Sequence, residues 1–288
     1  MKRKAHLQQS GLLITLVSVA GTTGILTWFL SSHTKSAAID LAHNYALTHR
    51  IRQQGIFFSG SDPSLGEMNV YPRGAHLLSS AAGDWVGSTF FGVHLVALVA
   101  VGIIFGVIAI ALSALPKKLA VNVAIILLIF LVANSFGPQF ELHGSEIVGT
   151  FFFSQLLGFS LLSVGLLVAG YVEKYVSDKW AVLVLSFFAV SVATIHLLPA
   201  LIGLGVAWLL SAISALTKVR VSSVRERAGY FLLLSIGPLM ASIAVLLLPS
   251  TRAMRQIAEH DGGLTLNGIS YPWGVFTLIA LTGIVSAF

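Results

Sequence analysis

The chain has 288 residues, of which 56% are hydrophobic and only 10% charged; its mean hydropathy is +0.89 and it has no cysteine. A water-soluble domain carries about 25% charged residues, so much of this surface must face lipid, and disulfides, thiolate nucleophiles and cysteine-ligated metal centres are excluded. The net charge of +6 reads as basic loops between membrane spans, with no nucleic-acid partner.

A helix needs roughly 20 apolar residues to cross the hydrocarbon core. By that criterion the chain is all-α: a polytopic bundle of about eight spans in a single membrane domain over residues 1–288. The first span is residues 11–30. It follows Lys2, Arg3 and Lys4 and reads as a retained anchor, since no small-x-small cleavage site follows it.

Residues 31–89 form a long outer loop. Its first part, residues 36–54, is predicted to be an amphipathic helix that Ser36 can cap and Gly55 can end. Asp40, His43, Leu47, Arg50 and Gln54 recur at three- and four-residue steps, which predicts a polar stripe, with Ile39, Ala42, Tyr45, Ala46 and Ile51 making apolar contacts elsewhere. Such a helix lies at the outer interface or packs on the bundle. Asp40 and His43 are neighbours on it, so the carboxylate can orient the imidazole, or the pair can hold a divalent ion, Mg or Mn. An ordinary solvated helix face is the alternative. The loop then passes Asp62-Pro63 and Gly66, both turn signals, and reaches Tyr71-Pro72-Arg73-Gly74-Ala75-His76. Pro72 can start a helix, which would put Arg73 and His76 near an N-terminus that favours anions such as phosphate.

Further spans are predicted at residues 90–115, which end before Pro116-Lys117-Lys118, and at 120–134 and 147–172. Residues 181–216 are apolar except for His196. One helix of that length would be ~54 Å, against a core of ~30 Å. Pro199 is therefore predicted to divide it into spans 181–197 and 200–216. An ionisable group inside a span is a functional candidate, so His196 joins the list. The last spans are 230–248 and 273–288; the second is short and apolar to its end, which leaves open a fragment of a longer protein.

With the N-terminus in the cytoplasm, Lys2, Arg3, Lys4, Lys117, Lys118, Lys174, Lys179, Lys218, Arg220, Arg225 and Arg227 fall on the cytoplasmic side, eleven of seventeen basic residues and all in short segments. The positive-inside rule favours this orientation in a cell membrane, with the 31–89 loop outside. Glu141, His143 and Glu146 in the second outer loop, and His260-Asp261-Gly262-Gly263 in the third, read first as solvated loop and turn.

The order of anchor helix, Asp40-x-x-His43 on a loop helix, and Tyr71-Pro72-x-Gly74-x-His76 before the second span resembles bacterial integral-membrane glycosyltransferases of the GT-C superfamily that use polyprenyl-phosphate sugars. Ala193-Thr194-Ile195-His196-Leu197-Leu198-Pro199 resembles a His-containing break in their middle spans. The resemblance covers about 250 residues in layout, but its specific motifs lie only at Asp40–His76 and around His196. It implies transfer of a sugar from a polyprenyl-phosphate donor to an acceptor on the outer face. Asp40, with His43, would be catalytic base or metal ligand, and Arg50, Tyr71, Arg73, His76 and His196 would bind substrate. Arg73 departs from the resemblance, standing where many relatives have a proline or small residue, as does the lack of a large soluble C-terminal domain in these 288 residues. A lipid-linked donor also agrees with the absence of G-x-G-x-x-G and Walker A loops. The competing readings are a lipid or solute transporter or flippase, and a non-catalytic membrane partner.

Overall fold

The computed structural model describes residues 13, 17–25, 28, 39–55, 62–136, 151–218 and 224–260. Among these residues every regular element is helical. In chain order they are α1 (Ile39–Gln54), a 3-10 turn (Pro63–Asn69), α2 (Gly74–Val86), α3 (Thr89–Ser113), α4 (Lys117–Phe136), α5 (Phe153–Tyr175), α6 (Asp178–Ala193), α7 (Leu197–Lys218), α8 (Val224–Leu247) and α9 (Pro249–His260).

Four of the described helices are long and apolar enough to cross a membrane: α3, α5, α7 and α8. The expected span at 181–197 is α6, whose 16 residues fall short of the roughly 20 that a perpendicular crossing needs. Residues 17–25 of the first expected span are helical, and the span at 273–288 lies outside the described residues, as do Glu141, His143, Glu146 and the 261–263 turn.

The side chains explain these boundaries. Ser88 caps α3, its Oγ accepting from the Phe91 N–H at 3.2 Å, and Pro116 follows the helix end, as expected of a residue that cannot continue it. The break in the 181–216 stretch comes at Thr194–His196, ahead of the expected place, with Pro199 in the first turn of α7. A proline ring clashes with the carbonyl four residues earlier, here Ile195, so α6 has to stop before that carbonyl becomes helical. In α8, Pro238 leaves the Leu234 carbonyl without its helical donor; the Ser211 hydroxyl of α7, which donates to the Ala207 carbonyl at 2.9 Å, approaches it at 3.5 Å.

The helices form a connected bundle. α3 packs on α5; α5 packs on α6 and α7; and α6, α7 and α8 pack on one another, while α4 touches the bundle through α3. α1 and α2 pack against each other and on the first turns of α3. Leu41 and Ala75 share one apolar cluster with Val93, Ala97, Phe153 and Leu156, so these two short helices sit level with the ends of the spans.

Burial on α1 corrects the expected stripe. Leu41, Asn44, Leu47, Thr48 and Ile51 are buried, whereas Ala42 and His43 are exposed. Leu47 therefore belongs to the packed face, and α1 docks on the bundle through a face that carries an amide and a hydroxyl.

α2 has an inverted pattern. Its buried face is Ala75, His76, Ser79, Ser80 and Gly83, while Leu77, Leu78, Trp85 and Val86 are exposed, Trp85 by 83%. In water this helix would present its apolar side to solvent; beside the end of a span, the same side suits hydrocarbon. With Trp28, Trp180, Trp208 and Trp273 replaced by Phe, the fluorescence of Trp85 should be quenched by lipids brominated on the upper acyl chain and insensitive to aqueous acrylamide. The opposite pattern would place α2 in water.

Candidate functional site

At the end of the bundle where α5 starts and α6 meets α7, chain segments distant in sequence converge on one polar cluster. Phe151 has φ +62, a left-handed conformation that is costly for an aromatic residue. Phe152 follows at φ −80, ψ 57, the geometry of an inverse γ-turn, closed by the Phe153 N–H donating to the Phe151 carbonyl at 2.8 Å. This turn aims the Phe151 carbonyl at α1, where the Asn44 amide donates to it at 3.2 Å. The Oδ1 of Asn44 is 2.9 Å from His76 Nε2, so that nitrogen carries the proton and donates.

His76 is completely buried. Its ring stands edge-on to Phe153 at 5.3 Å and to Tyr71 at 5.7 Å between centroids. Burial pushes its pKa down from 6.5 to about 3, offset only in part by the Pro72 carbonyl, so the ring is neutral at physiological pH. The Tyr71 hydroxyl pairs with Ser154 Oγ at 3.0 Å. Burial raises the Tyr71 pKa, and the negative charge of Asp40 adds to the rise; Asp40 is thus close enough for its field to reach Tyr71.

A proton sign follows for His76. An unfolded chain binds the proton near pH 6.5 and the folded chain only near 3. Stability is therefore complete above about pH 6.5 and declines as pH falls toward 3. Thermal melts in detergent should show His76→Gln to be less stable than wild type at pH 7.5 but flatter in its pH dependence between 6.5 and 4. Parallel pH profiles for the two proteins would exclude His76 as the group responsible.

Two cavities flank this cluster. One, of about 580 Å³, is lined by Asp40, His43 and Asn44 of α1, by the 3-10 turn, and by Tyr71, Phe152 and Met254. Asp62 caps the 3-10 turn with Oδ1, which accepts from the Ser64 N–H at 3.0 Å and the Ser64 hydroxyl at 2.6 Å. Those two bonds, ahead of the charge of Arg50, hold the Asp62 pKa below its ordinary value. The second cavity, of about 570 Å³, is lined by Tyr71, Pro72, Arg73, Leu77 and Thr194, with Pro249, Ser250 and Ala253 of α9. Tyr71 borders both, and α9 supplies residues to both.

The predicted site residues therefore divide. Asp40, half-buried, and His43, exposed, line the first cavity with Tyr71. Among the described residues no third His, Asp or Glu joins them in a metal-sized group. Arg73 lines the second cavity, where burial lowers its pKa without approaching neutrality; it also donates to the Asn69 carbonyl at 3.3 Å. Arg50 is turned to Asp62 at 3.3 Å and lines neither cavity. His76 lines neither and acts as a buried tie. His196 stands at the α6–α7 turn, 4% exposed, with Nδ1 accepting from the Leu198 N–H at 3.3 Å and its ring against Phe152 and Tyr71.

Sequence reading missed Asn44, the Phe151–Phe153 turn and Ser154. Asn44 left a signal: it lies three residues after Leu41 and three before Leu47, so an amide occupies a position of apolar period. The turn left none, because Phe151–Phe153 lie inside the apolar run expected as the 147–172 span. Compared with protein-family models, with curated proteins and with solved structures, the chain matches none of them.

Proposed function

We propose that the chain is a membrane glycosyltransferase that moves a sugar from a polyprenyl-phosphate donor to an acceptor at the outer face of a cell membrane. The observation that carries this reading is Asp40, a half-buried carboxylate lining a cavity whose other wall includes Tyr71 of the Tyr71–His76 segment. The cavity holding the Arg73 cation lies on the other side of the same tyrosine.

In this reaction Asp40 takes the proton from an acceptor hydroxyl. The freed oxygen attacks the anomeric carbon, and the bond from that carbon to the donor phosphate oxygen breaks with its electron pair staying on the phosphate. The polyprenyl phosphate leaves with added negative charge, which a guanidinium such as Arg73 stabilises. The donor phosphate beside Arg73 and the acceptor beside Asp40 would meet at Tyr71. Both cavities lie at one end of the bundle, which supports chemistry on a membrane-borne substrate over passage across the bilayer.

The test is transfer of radiolabelled sugar from polyprenyl-phosphate donors to candidate acceptors by the purified chain in vesicles. Product formation that depends on Asp40 supports the reading. Movement of donor or solute across the vesicle wall with no covalent product would replace it with the transporter reading.

A further inference from the structure

A third cavity lies at the opposite end of the bundle and takes no part in the reading above. Its volume is about 540 Å³, within the roughly 300–1,000 Å³ of ordinary ligand sites. One wall is α3, through Val107, Ile110 and Ala114; the other is α5, through Leu166 and Leu167, and the groove ends at Tyr171, Lys174 and Tyr175. Gly170 also lines it, and a Cβ added there would meet nothing within 4 Å, so the groove is open at that point.

The mouth and the floor differ in chemistry. The floor is aliphatic except for Ser163, whose hydroxyl donates to the Ser160 carbonyl at 2.7 Å. At the mouth the Tyr171 and Tyr175 rings lie tilted against each other with centroids 4.5 Å apart, and the Lys174 ammonium stands 5.0 Å from the Tyr175 ring centroid. Tyrosine pairs of this kind sit at headgroup level. Lys174 is exposed, while the adjacent Glu173 is not among the lining residues. Lys117, Lys118 and Lys179 belong to the same end of the bundle, at the α3–α4 and α5–α6 connections. A groove that is apolar along a span and cationic at its basic end matches an amphiphile with an acyl chain and a negative head.

We propose that this groove binds an anionic membrane phospholipid, with one acyl chain between α3 and α5 and its phosphate beside Lys174. The proposal is independent of the glycosyltransferase reading, because no residue is shared between the two sites.

The test uses the full chain in detergent–lipid micelles and a phosphatidylglycerol probe with a photoreactive group on one acyl chain, followed by peptide mapping. Wild type should be labelled within residues 107–114 and 163–175. Unlabelled phosphatidylglycerol should compete about fivefold better than phosphatidylcholine, the preference that one basic residue near an anionic surface confers, and Lys174→Ala should erase that difference. Inorganic phosphate should not compete, because the acyl chain supplies most of the contact. Gly170→Leu, and Ile110→Trp on the opposite wall, should each abolish labelling while leaving the melting temperature and elution profile of the protein unchanged. Equal competition by the two lipids, competition by inorganic phosphate, or full labelling of either filled variant would overturn the proposal; the last would mean that another part of the chain or a second copy covers the groove.

Discussion

Asp40→Asn should lower sugar transfer by about 10²–10⁴-fold, the range that one positioned proton acceptor contributes. The amide has the size of the carboxylate and cannot take a proton, so the cavity keeps its shape and loses its base. Asp40 is half-buried at the start of α1, and the packing of that helix rests on Leu41, Asn44, Leu47, Thr48 and Ile51. The substitution should therefore leave the melting temperature unchanged. Because the proton moves only as the acceptor attacks, the loss should fall on kcat, with KM for the lipid donor nearly constant. Initial rates in vesicles at several donor concentrations check both points. A variant that transfers at the wild-type rate would remove Asp40 from the chemistry, and with it the main support for an enzyme. His43→Gln tests the neighbour: a comparable loss would give the imidazole a role in orienting or assisting Asp40, and a small loss would leave it as an exposed side chain beside the cavity.

Gly92→Ala should cause the largest loss of stability among single-methyl changes at the α1–α2 end of the bundle. A Cβ on Gly92 would fall on the Ser79 carbonyl oxygen and 2.6 Å from the Gly83 backbone nitrogen. Both obstacles are main chain on α2, so no side chain can swing aside and the two helices must separate. Overpacking of this kind costs about 1–3 kcal/mol or more. The separation would also pull His76 from Asn44, leaving a buried amide and a buried imidazole with one partner fewer, at a further cost of about 1–3 kcal/mol. Thermal melts in detergent should show a clear drop for Gly92→Ala and almost none for Gly205→Ala, where a Cβ meets nothing within 4 Å. Equal melting temperatures would show that the α2–α3 contact is looser than its geometry implies.

The long apolar stretches announced their helices because a lipid-facing helix must be apolar on every side, a pattern that survives any detail of packing. Thr89–Ser113 came within two residues of the expected 90–115 for that reason, while Val224–Leu247 starts six residues ahead of the expected 230–248. Pro199 announced a break but not its place, since the clash acts on a carbonyl four residues upstream. The short helices at the span ends were harder. The α1 face was misassigned at Leu47 because its buried side mixes aliphatic residues with Asn44 and Thr48. Periodicity sees polarity, and here polarity is satisfied by partners such as the Phe151 carbonyl, 107 residues away. α9, residues 249–260, was expected as loop; it is too polar for a span. In the candidate site, Asp40, His43 and Tyr71 could be picked out as chemistry-bearing side chains, but not that Tyr71 would divide two cavities, nor that His76 would be sealed inside.

The stitching of α1 and α2 to the bundle bears on how the chain is made. The Gly74 N–H donates to the Thr194 carbonyl at 3.0 Å, and Asn44 and Tyr71 find their partners at Phe151 and Ser154. Synthesis runs from the N-terminus, so α1 and α2 leave the ribosome long before the segments that fix them exist. Through that interval α1 and α2 can pair with each other and with α3, but Asn44, Tyr71 and the Gly74 N–H still lack their partners on the later segments. Biogenesis thus has a vulnerable window that closes only when the turn after α6 is inserted. Nascent chains arrested before residue 194 should be trimmed by protease within 39–86, and chains arrested beyond α7 should resist.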